Sequence, residues 1–447
     1  MRARLVPLYL GQADNPEFEA QTRQLSTLLA DVAEFAPPLP LGAPLPPADA
    51  AVFPVLTVEA YGRLGEFQQL TMPAVMLTSE FGTMAMWDWE IISYLRSAGV
   101  GVIAPYSLTG AEITCRALAA KRQLSQGKFV VYQDEPGESG QQPSIFRRFY
   151  WWEDECSQRI RDKFGLVIEK RSFRELGARA SAIPDARAEP ELGGWTSGRR
   201  PLPLADVSQR ASLSATKLYQ AIRDDLDQEP DVLAAGINCL NESGFSDTTP
   251  CLAWDRLYAE RDLIWGCEAD TMSMLTKFIV HRSLRVPILM TNLYPFLMGQ
   301  AALKHERIPS FPAVDGNPDD YILAAHCGYL GVLPRAMAQS WDLRPKVLAI
   351  VSENSAVIDA RLPCGDLTLT KLDPAFERLV VVQGELTGYA GYPGSDCRNG
   401  AVIRVPDGHA VMEGLPSHHS LLTTGHNLPG LKLAGQVFGL RVDQPGA

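Results

Sequence analysis

Residues 262–292 constrain the fold of this chain more than any other stretch. The stretch opens on a short apolar run, Leu263-Ile264-Trp265-Gly266. That run lacks polar alternation, so it reads as a strand buried on both faces, as in a parallel sheet. Met272, Leu275, Phe278 and Ile279 follow at three- and four-residue spacing, the helical period. Residues 286–290 then read as the following strand. Glu268 therefore falls where a strand gives way to a helix, and Asn292 at the end of the next strand. In open α/β sheets both positions lie at the carboxyl edge, where ligands bind. Glu268 and Asp270 have a second reading, as carboxylates that complement the positive end of a helix dipole.

The same rhythm fills the first 125 residues. Short β-rich runs at 5–10, 51–56, 74–77 and 100–104 alternate with helix-like stretches at 17–34, 58–69, 84–97 and 110–124. This predicts a parallel sheet with helices on both faces. Prolines between 37 and 47 mark a surface loop. No G-x-G-x-x-G follows the first strand, so the dinucleotide fingerprint is absent. A second α/β unit opens at 128–132, with helices expected at 146–163 and 211–225, strands at 166–169 and 232–239, and a loop over 185–200. Glu242 follows the strand 232–239, either as a second carboxylate at the sheet edge or as a solvated loop residue. The aromatics Phe149, Tyr150, Trp151 and Trp152 read as core, since rings at helical spacing usually pack inward. Trp87, Trp89, Trp151 and Trp152 are the candidates for stacking on a sugar face.

Beyond Asp315 the texture changes. Short strands are expected at 347–352, 356–362, 366–372, 378–384, 400–405 and 410–412, followed by an apolar helix-like run at 431–438. That spacing indicates a β-barrel or sandwich. Three parts follow: 1–125, 126–314 and 315–447. A chain of 447 residues exceeds what one core supports, in keeping with two or three domains.

A net charge of −11 without a Lys/Arg cluster argues against a nucleic-acid partner. No segment approaches the roughly 20 apolar residues of a membrane span. The amino-terminal apolar run is cut short by Gly11 and Asp14, which excludes a signal-peptide core. The eight cysteines form no C-x-x-C pair, so they read as reduced thiols of a cytoplasmic protein without a membrane partner.

The histidines are unevenly spread. Four of seven, His409, His418, His419 and His426, fall within eighteen positions, and His326 precedes the β-rich part. Three within nine positions, separated by small polar residues, point to a metal or sugar site as readily as to structural histidines. Carboxylate with imidazole, without thiolate pairs, favours a hexacoordinate ion such as Mn²⁺ or Mg²⁺ over structural zinc.

Taken in order, the strand and Cys267-Glu268-Ala269-Asp270, the helix, Pro287-Ile288-Leu289, Asn292, Ala325-His326-Cys327-Gly328, and His419 with Gly425-His426 form a recognisable pattern. It resembles L-fucose isomerase and the fucose isomerase-like proteins, and more distantly L-arabinose isomerase. The resemblance covers about residues 230–440, and before that rests on βα layout and length. It implies two Rossmann-like α/β domains followed by a β-barrel-like carboxyl-terminal domain, assembled as homo-trimers or hexamers. The implied activity is metal-dependent aldose–ketose isomerisation of a small sugar through an enediol, with Mn²⁺ as the ion and Mg²⁺ or Co²⁺ as alternatives. By the same resemblance Glu268 is a metal ligand and proton-transfer base, His419 a metal ligand, and His426 a second histidine of the pocket. His326 matches a histidine that binds metal in the arabinose isomerase branch.

One position departs from that pattern. The second metal-binding carboxylate falls 24 positions after the first, and here that position is Asn292. Asparagine can offer a carbonyl oxygen to a hard ion, but it cannot act as a general base. The second proton transfer then falls to Glu242, Asp270 or a water molecule, or else the reaction has changed. An epimerase, lyase or hydrolase of a modified sugar would use the same pocket, as would a sugar-binding protein that has lost catalysis.

Overall fold

The computed structural model describes residues 1–12, 15–78, 86–135, 148–198, 201–295, 308–392 and 394–446. The chain separates into two compact units. One comprises Met1–Ser125 with Ile279–Arg285 and Pro429–Arg441, and the other Gln126–Phe278, Val286–Leu428 and Val442–Ala447.

The first unit holds strands β1 (Ala3–Tyr9), β2 (Ala33–Phe35), β3 (Leu39–Pro40), β4 (Ala50–Phe53), β5 (Ala74–Met76) and β6 (Val102–Ile103). Their pairings are all parallel, in the order β2-β1-β4-β5-β6, with β3 also on β1. Every residue of β4 is buried, as expected of a central parallel strand. Its Phe53 packs with Val6, Leu8, Phe67, Met76, Ile91 and Leu95 in the core. The helix expected at 58–69 is a 3₁₀ turn, Val58–Arg63, running into a short α-helix, Leu64–Gln68. The start of the helix expected from Met84 lies outside the described residues, and the helix is described over Met86–Ser97.

The second unit begins with another all-parallel sheet. Strands β7 (Lys128–Tyr132), β8 (Val167–Arg171), β9 (Val232–Ile237) and β10 (Ile264–Cys267) lie in the order β10-β9-β7-β8. A helix, Thr271–Leu284, follows β10. Gly236 and Gly266 let that helix approach, because a Cβ would lie 2.9 Å and 2.6 Å from the Met274 sulfur. The residues expected as one helix over 146–163 begin outside the described part. They form a 3₁₀ turn, Tyr150–Trp152, and a separate helix, Asp154–Phe164, divided where Glu153 is extended (φ −72°, ψ 144°). The loop expected over 185–200 contains a helix, Asp185–Ser197. Pro190, Gly193 and Gly194 disguise it in the sequence. Packing of Ala188 and Leu192 on Leu213 sustains it instead.

The remaining strands are β11 (Leu289–Pro295), β12 (Tyr321–Ala325), β13 (Ser340–Pro345), β14 (Ala356–Arg361), β15 (Gly365–Leu372), β16 (Arg378–Ala390), β17 (Gly400–Arg404), β18 (His419–Thr424) and β19 (Arg441–Asp443). Six of them close an antiparallel barrel in the order β15-β18-β11-β12-β17-β16, with β16 returning to β15. Strand β19 adds to β16, and β13 with β14 forms a separate antiparallel pair. The expected barrel is thus present, but it recruits β11. That strand does not continue the parallel sheet, as its sequence had implied, but pairs antiparallel with β12 and β18. An apolar run reads alike in either sheet. Two further strands are corrected: 410–412 lies in a helix, Gly408–Gly414, capped by Asp407, and 347–352 forms turns.

Lys277 tests how this unit carries buried charge. It is fully buried on the helix after β10; its ammonium donates to the Trp265 carbonyl at 2.9 Å and lies 3.9 Å from the Trp265 ring centre. Burial lowers its pKa from 10.5 to about 7. Between these values the folded state binds fewer protons than the unfolded state, so stability rises as pH rises above about 7. Lys277→Met keeps the stem and removes the charge. It should raise stability at pH 7 by about 1–4 kcal/mol, read from urea midpoints, and flatten the rise between pH 7 and 9. An unchanged slope would assign that rise to another group.

Candidate metal centre

Glu268 directly follows β10, and it and Ala269 both take left-handed backbone angles (φ 53° and 49°). For non-glycine residues this conformation costs about 1–2 kcal/mol each, so the turn has to be held from outside. Ala269 N donates to Ile237 O at 2.9 Å, and Asp270 N to Cys267 O at 3.1 Å. The indoles of Trp151 and Trp152 both donate to the Glu268 carbonyl, at 3.2 Å and 2.9 Å. With its backbone fixed by these groups, the carboxylate is turned toward the histidines. Its Oε1 lies 3.7 Å from His419 Nε2 and 3.9 Å from His326 Nε2.

Asp270 orients His419. One carboxylate oxygen accepts from Ser273 N at 2.8 Å, which caps the helix as expected from its position. The other accepts from Ser273 Oγ at 2.6 Å and Lys371 Nζ at 3.0 Å, and meets His419 Nδ1 at 2.8 Å. Asp270, Lys371 and His419 are all essentially inaccessible to solvent. With Nδ1 bound to the carboxylate, Nε2 is the nitrogen that faces Glu268. Histidines that ligate metals are commonly oriented in this way.

His326 comes from a two-residue turn after β12. Cys327 (φ 54°) and Gly328 (φ 81°) are its left-handed centre, the signature of a type I′ turn. His326 and Tyr329 exchange both backbone hydrogen bonds, at 2.6 Å and 3.1 Å. Gly328 is required there, because a Cβ would meet Val347 Cγ2 at 1.9 Å. His326 Nδ1 lies 2.9 Å from Cys327 Sγ, and its ring centre 5.5 Å from that of His419. His418 stands immediately before β18, its ring 4.3 Å from that of His419. Trp151 stacks on His419 at 5.1 Å, and Phe149 on Trp151 at 4.4 Å. Trp151 and Trp152 are thus buried supports of the site, as their core reading required.

Electrostatics follow from this packing. Burial opposes the charge on Glu268, but the imidazoles of His419, His326 and His418 outweigh it and hold the carboxyl at about 2. Burial also opposes the charge on Asp270; Lys371, His419 and Ser273 reverse the balance and keep it far below the usual carboxylate range. His419 is raised, because Glu268 and Asp270 overcome its burial. His418 is lowered to about 3 by burial and by its neighbour His419.

The other expected residues divide. Asn292 on β11 lies opposite His419 on β18 and Ala325 on β12, so it shares a barrel face with His419. Its Nδ2 donates to the Tyr294 hydroxyl at 3.1 Å. Glu242 is buried and serves the backbone, accepting from Asp134 N at 3.0 Å and Glu135 N at 2.5 Å; burial raises its pKa. His426 is not brought to the cluster. It is half exposed, 3.7 Å from Asp366 Oδ1, because the six residues of β18, at about 3.3 Å each, carry it to the far end of the strand from His419. Trp89 is exposed and stacks on Tyr106 at 4.5 Å, and the side chain of Trp87 lies outside the described residues. None of the eight cysteines forms a disulfide among the described residues. Cys239, Cys251, Cys267 and Cys327 line a small cavity with His326, and burial pushes the Cys251 thiol up to about 12, which makes it inert.

These groups fit a divalent metal. Glu268, His418 and His419 each offer a donor atom, and the three lie within 4.8 Å of one another. His419 Nε2 and Asn292 Oδ1 are buried without a hydrogen bond among the described residues. Their remaining valence is what an ion would fill. No protein-family model and no curated protein matches the chain. Among the described residues, no helix is long and apolar enough to cross a membrane.

Asp270 and Lys371 should be energetically coupled. Lys371→Met strands a buried carboxylate and should lower stability by about 3–5 kcal/mol. The double variant with Asp270→Asn should recover much of that loss in a urea-unfolding cycle. Strictly additive losses would show that the pair does not interact.

Proposed function

We propose that this chain is a divalent-metal-dependent aldose–ketose isomerase of a small open-chain sugar, a relative of the fucose isomerase-like proteins. The observation that carries the reading is Glu268: an ionised carboxylate, buried at the carboxyl end of a parallel strand and turned toward the imidazoles of His419, His326 and His418. The resemblance adds Mn²⁺ as the ion, with Mg²⁺ or Co²⁺ as alternatives, a homo-trimeric or hexameric assembly, two Rossmann-like domains and a cytoplasmic location. Glu268 and His419 would hold the ion, with Asn292 and His326 beside them.

When bound, the ion supplies Lewis acidity at the sugar's carbonyl and neighbouring hydroxyl oxygens. Glu268 takes the proton from the carbon next to the carbonyl and returns it to the former carbonyl carbon. The hydroxyl proton moves to the other oxygen, so the sugar passes through an enediol and ends as the ketose. Asp270 keeps the Nε2 of His419 pointed at the site, and Trp151 covers that imidazole. Asn292 cannot carry a proton between oxygens. Glu242 is bound to backbone N–H groups and Asp270 to Lys371, which leaves solvent as the carrier.

Asn292 favours a second reading: an epimerase, lyase or hydrolase of a modified sugar in the same pocket, or a sugar-binding protein without catalysis. Solvent exchange separates them. The protein, incubated with Mn²⁺ in D₂O with a panel of aldoses, ketoses, deoxy and acidic sugars, should place deuterium in one sugar and form its ketose. Glu268→Gln should cut the rate by about 100-fold or more. No label and no ketose across the panel, with metal bound, would sink the isomerase reading in favour of the second. Asn292→Asp should then raise isomerisation in a decayed isomerase, or abolish the native activity of an altered enzyme.

A further inference from the structure

The resemblance supplies two carboxylates and one histidine as metal donors, and in this chain one of those carboxylates is Asn292. We infer that His418 fills the vacancy. The site is then Glu268, His418 and His419, one carboxylate and two imidazoles, and it selects a borderline ion such as Co²⁺, Fe²⁺ or Zn²⁺ over Mn²⁺ and Mg²⁺. This rests on the metal-dependent reading above and specifies its ligands.

Geometry singles out His418. Glu268, His418 and His419 are the one group of three metal-capable side chains brought within 4.8 Å among the described residues. Donors around an ion with bonds of about 2.1 Å sit closer together than this, so binding draws the three inward. Neighbours on a regular strand point to opposite faces, which would normally part His418 from His419. Here β18 begins at His419, and His418 precedes it, outside the alternation. Its carbonyl still accepts from Leu293 N at 2.9 Å, which ties it to β11 one residue from Asn292. Phe149 and Trp151 flank its ring at 5.6 Å and 5.9 Å. The alternatives are placed less well. His426 is half exposed beside Asp366, and His326, with its Nε2 3.9 Å from Glu268 Oε1, does not complete a group of three donors within 4.8 Å.

Donor chemistry sets the selectivity. Hard Mn²⁺ and Mg²⁺ prefer carboxylate and carbonyl oxygen, whereas imidazole suits Fe, Co, Ni and Zn. Exchanging one carboxylate for an imidazole removes a negative charge, which weakens the hard ions most. Asp270 adds no net charge around the three donors, because Lys371 balances it at 3.0 Å.

Metal titration by calorimetry on the chelator-stripped protein, with Co²⁺ and Mn²⁺, reads the affinities. Pulsed EPR of bound Mn²⁺ counts coordinated nitrogens. The wild type should bind Co²⁺ about 100-fold more tightly than Mn²⁺ and show two imidazole nitrogens. His418→Ala should lose about 100-fold in Co²⁺ affinity, lose less for Mn²⁺, and show one nitrogen. His418→Asp restores a carboxylate and should move the preference back toward Mn²⁺, which keeps the test open if the alanine variant folds poorly. His409→Ala, at an exposed histidine beside Asp319, should change nothing. If His418→Ala keeps two nitrogens while His326→Ala loses one, the assignment is overturned and the metal reading stands. If the wild type binds neither ion, both are overturned.

Discussion

The carboxylate of Asp270 is the point on which this site depends. It meets four donors, the backbone and hydroxyl of Ser273, Lys371 and His419, without contact with solvent. Through them the strand–helix turn after β10 is joined to β15 and β18 of the barrel. Removing an ion pair from water costs several kcal/mol per ion, and well-packed apolar side chains would often give equal or greater stability. What the carboxylate adds is direction. It fixes which nitrogen of His419 faces Glu268. The left-handed turn at Glu268 and Ala269 serves the same end, with strain offset by the indole donors of Trp151 and Trp152. The chain thus gives up stability at two adjacent positions to hold one carboxylate and one imidazole face to face.

The parts of this arrangement that were legible in sequence are those decided locally. Strand β10 and its helix follow from an apolar run and a 3.6-residue period. Features decided by partners far along the chain were not legible. Strand β11 has the same apolar texture in a parallel sheet or a barrel, and only β12 and β18 determine which one it joins. Asp270 read as a helix-dipole residue, and it does cap the helix. Its larger role depends on Lys371, 101 positions away. A lysine in the otherwise apolar and threonine-rich run 367–372 was the one signal, since a charge on a buried strand needs a partner. Counting histidines found the right segment but grouped His426 with His419, because proximity in sequence ignores the length of an extended strand.

Charge then bears on what Asn292 means. With Asp270 balanced by Lys371, Glu268 is the carboxylate left to face the imidazoles of the proposed site. A divalent ion held by one carboxylate and neutral nitrogens keeps a net positive charge, whereas a second carboxylate would cancel it. The second arrangement binds the ion more tightly, and the first leaves it the stronger Lewis acid toward negative charge developing on a sugar oxygen. Asn292 therefore does not by itself remove the capacity to acidify a C–H bond. What it removes is a proton acceptor on the barrel face shared with His419. A pocket with an electrophilic pole and a single carboxylate base would suit a reaction that begins by taking one carbon-bound proton: isomerisation returns it to the neighbouring carbon, epimerisation returns it to the same carbon, and a lyase expels a leaving group instead.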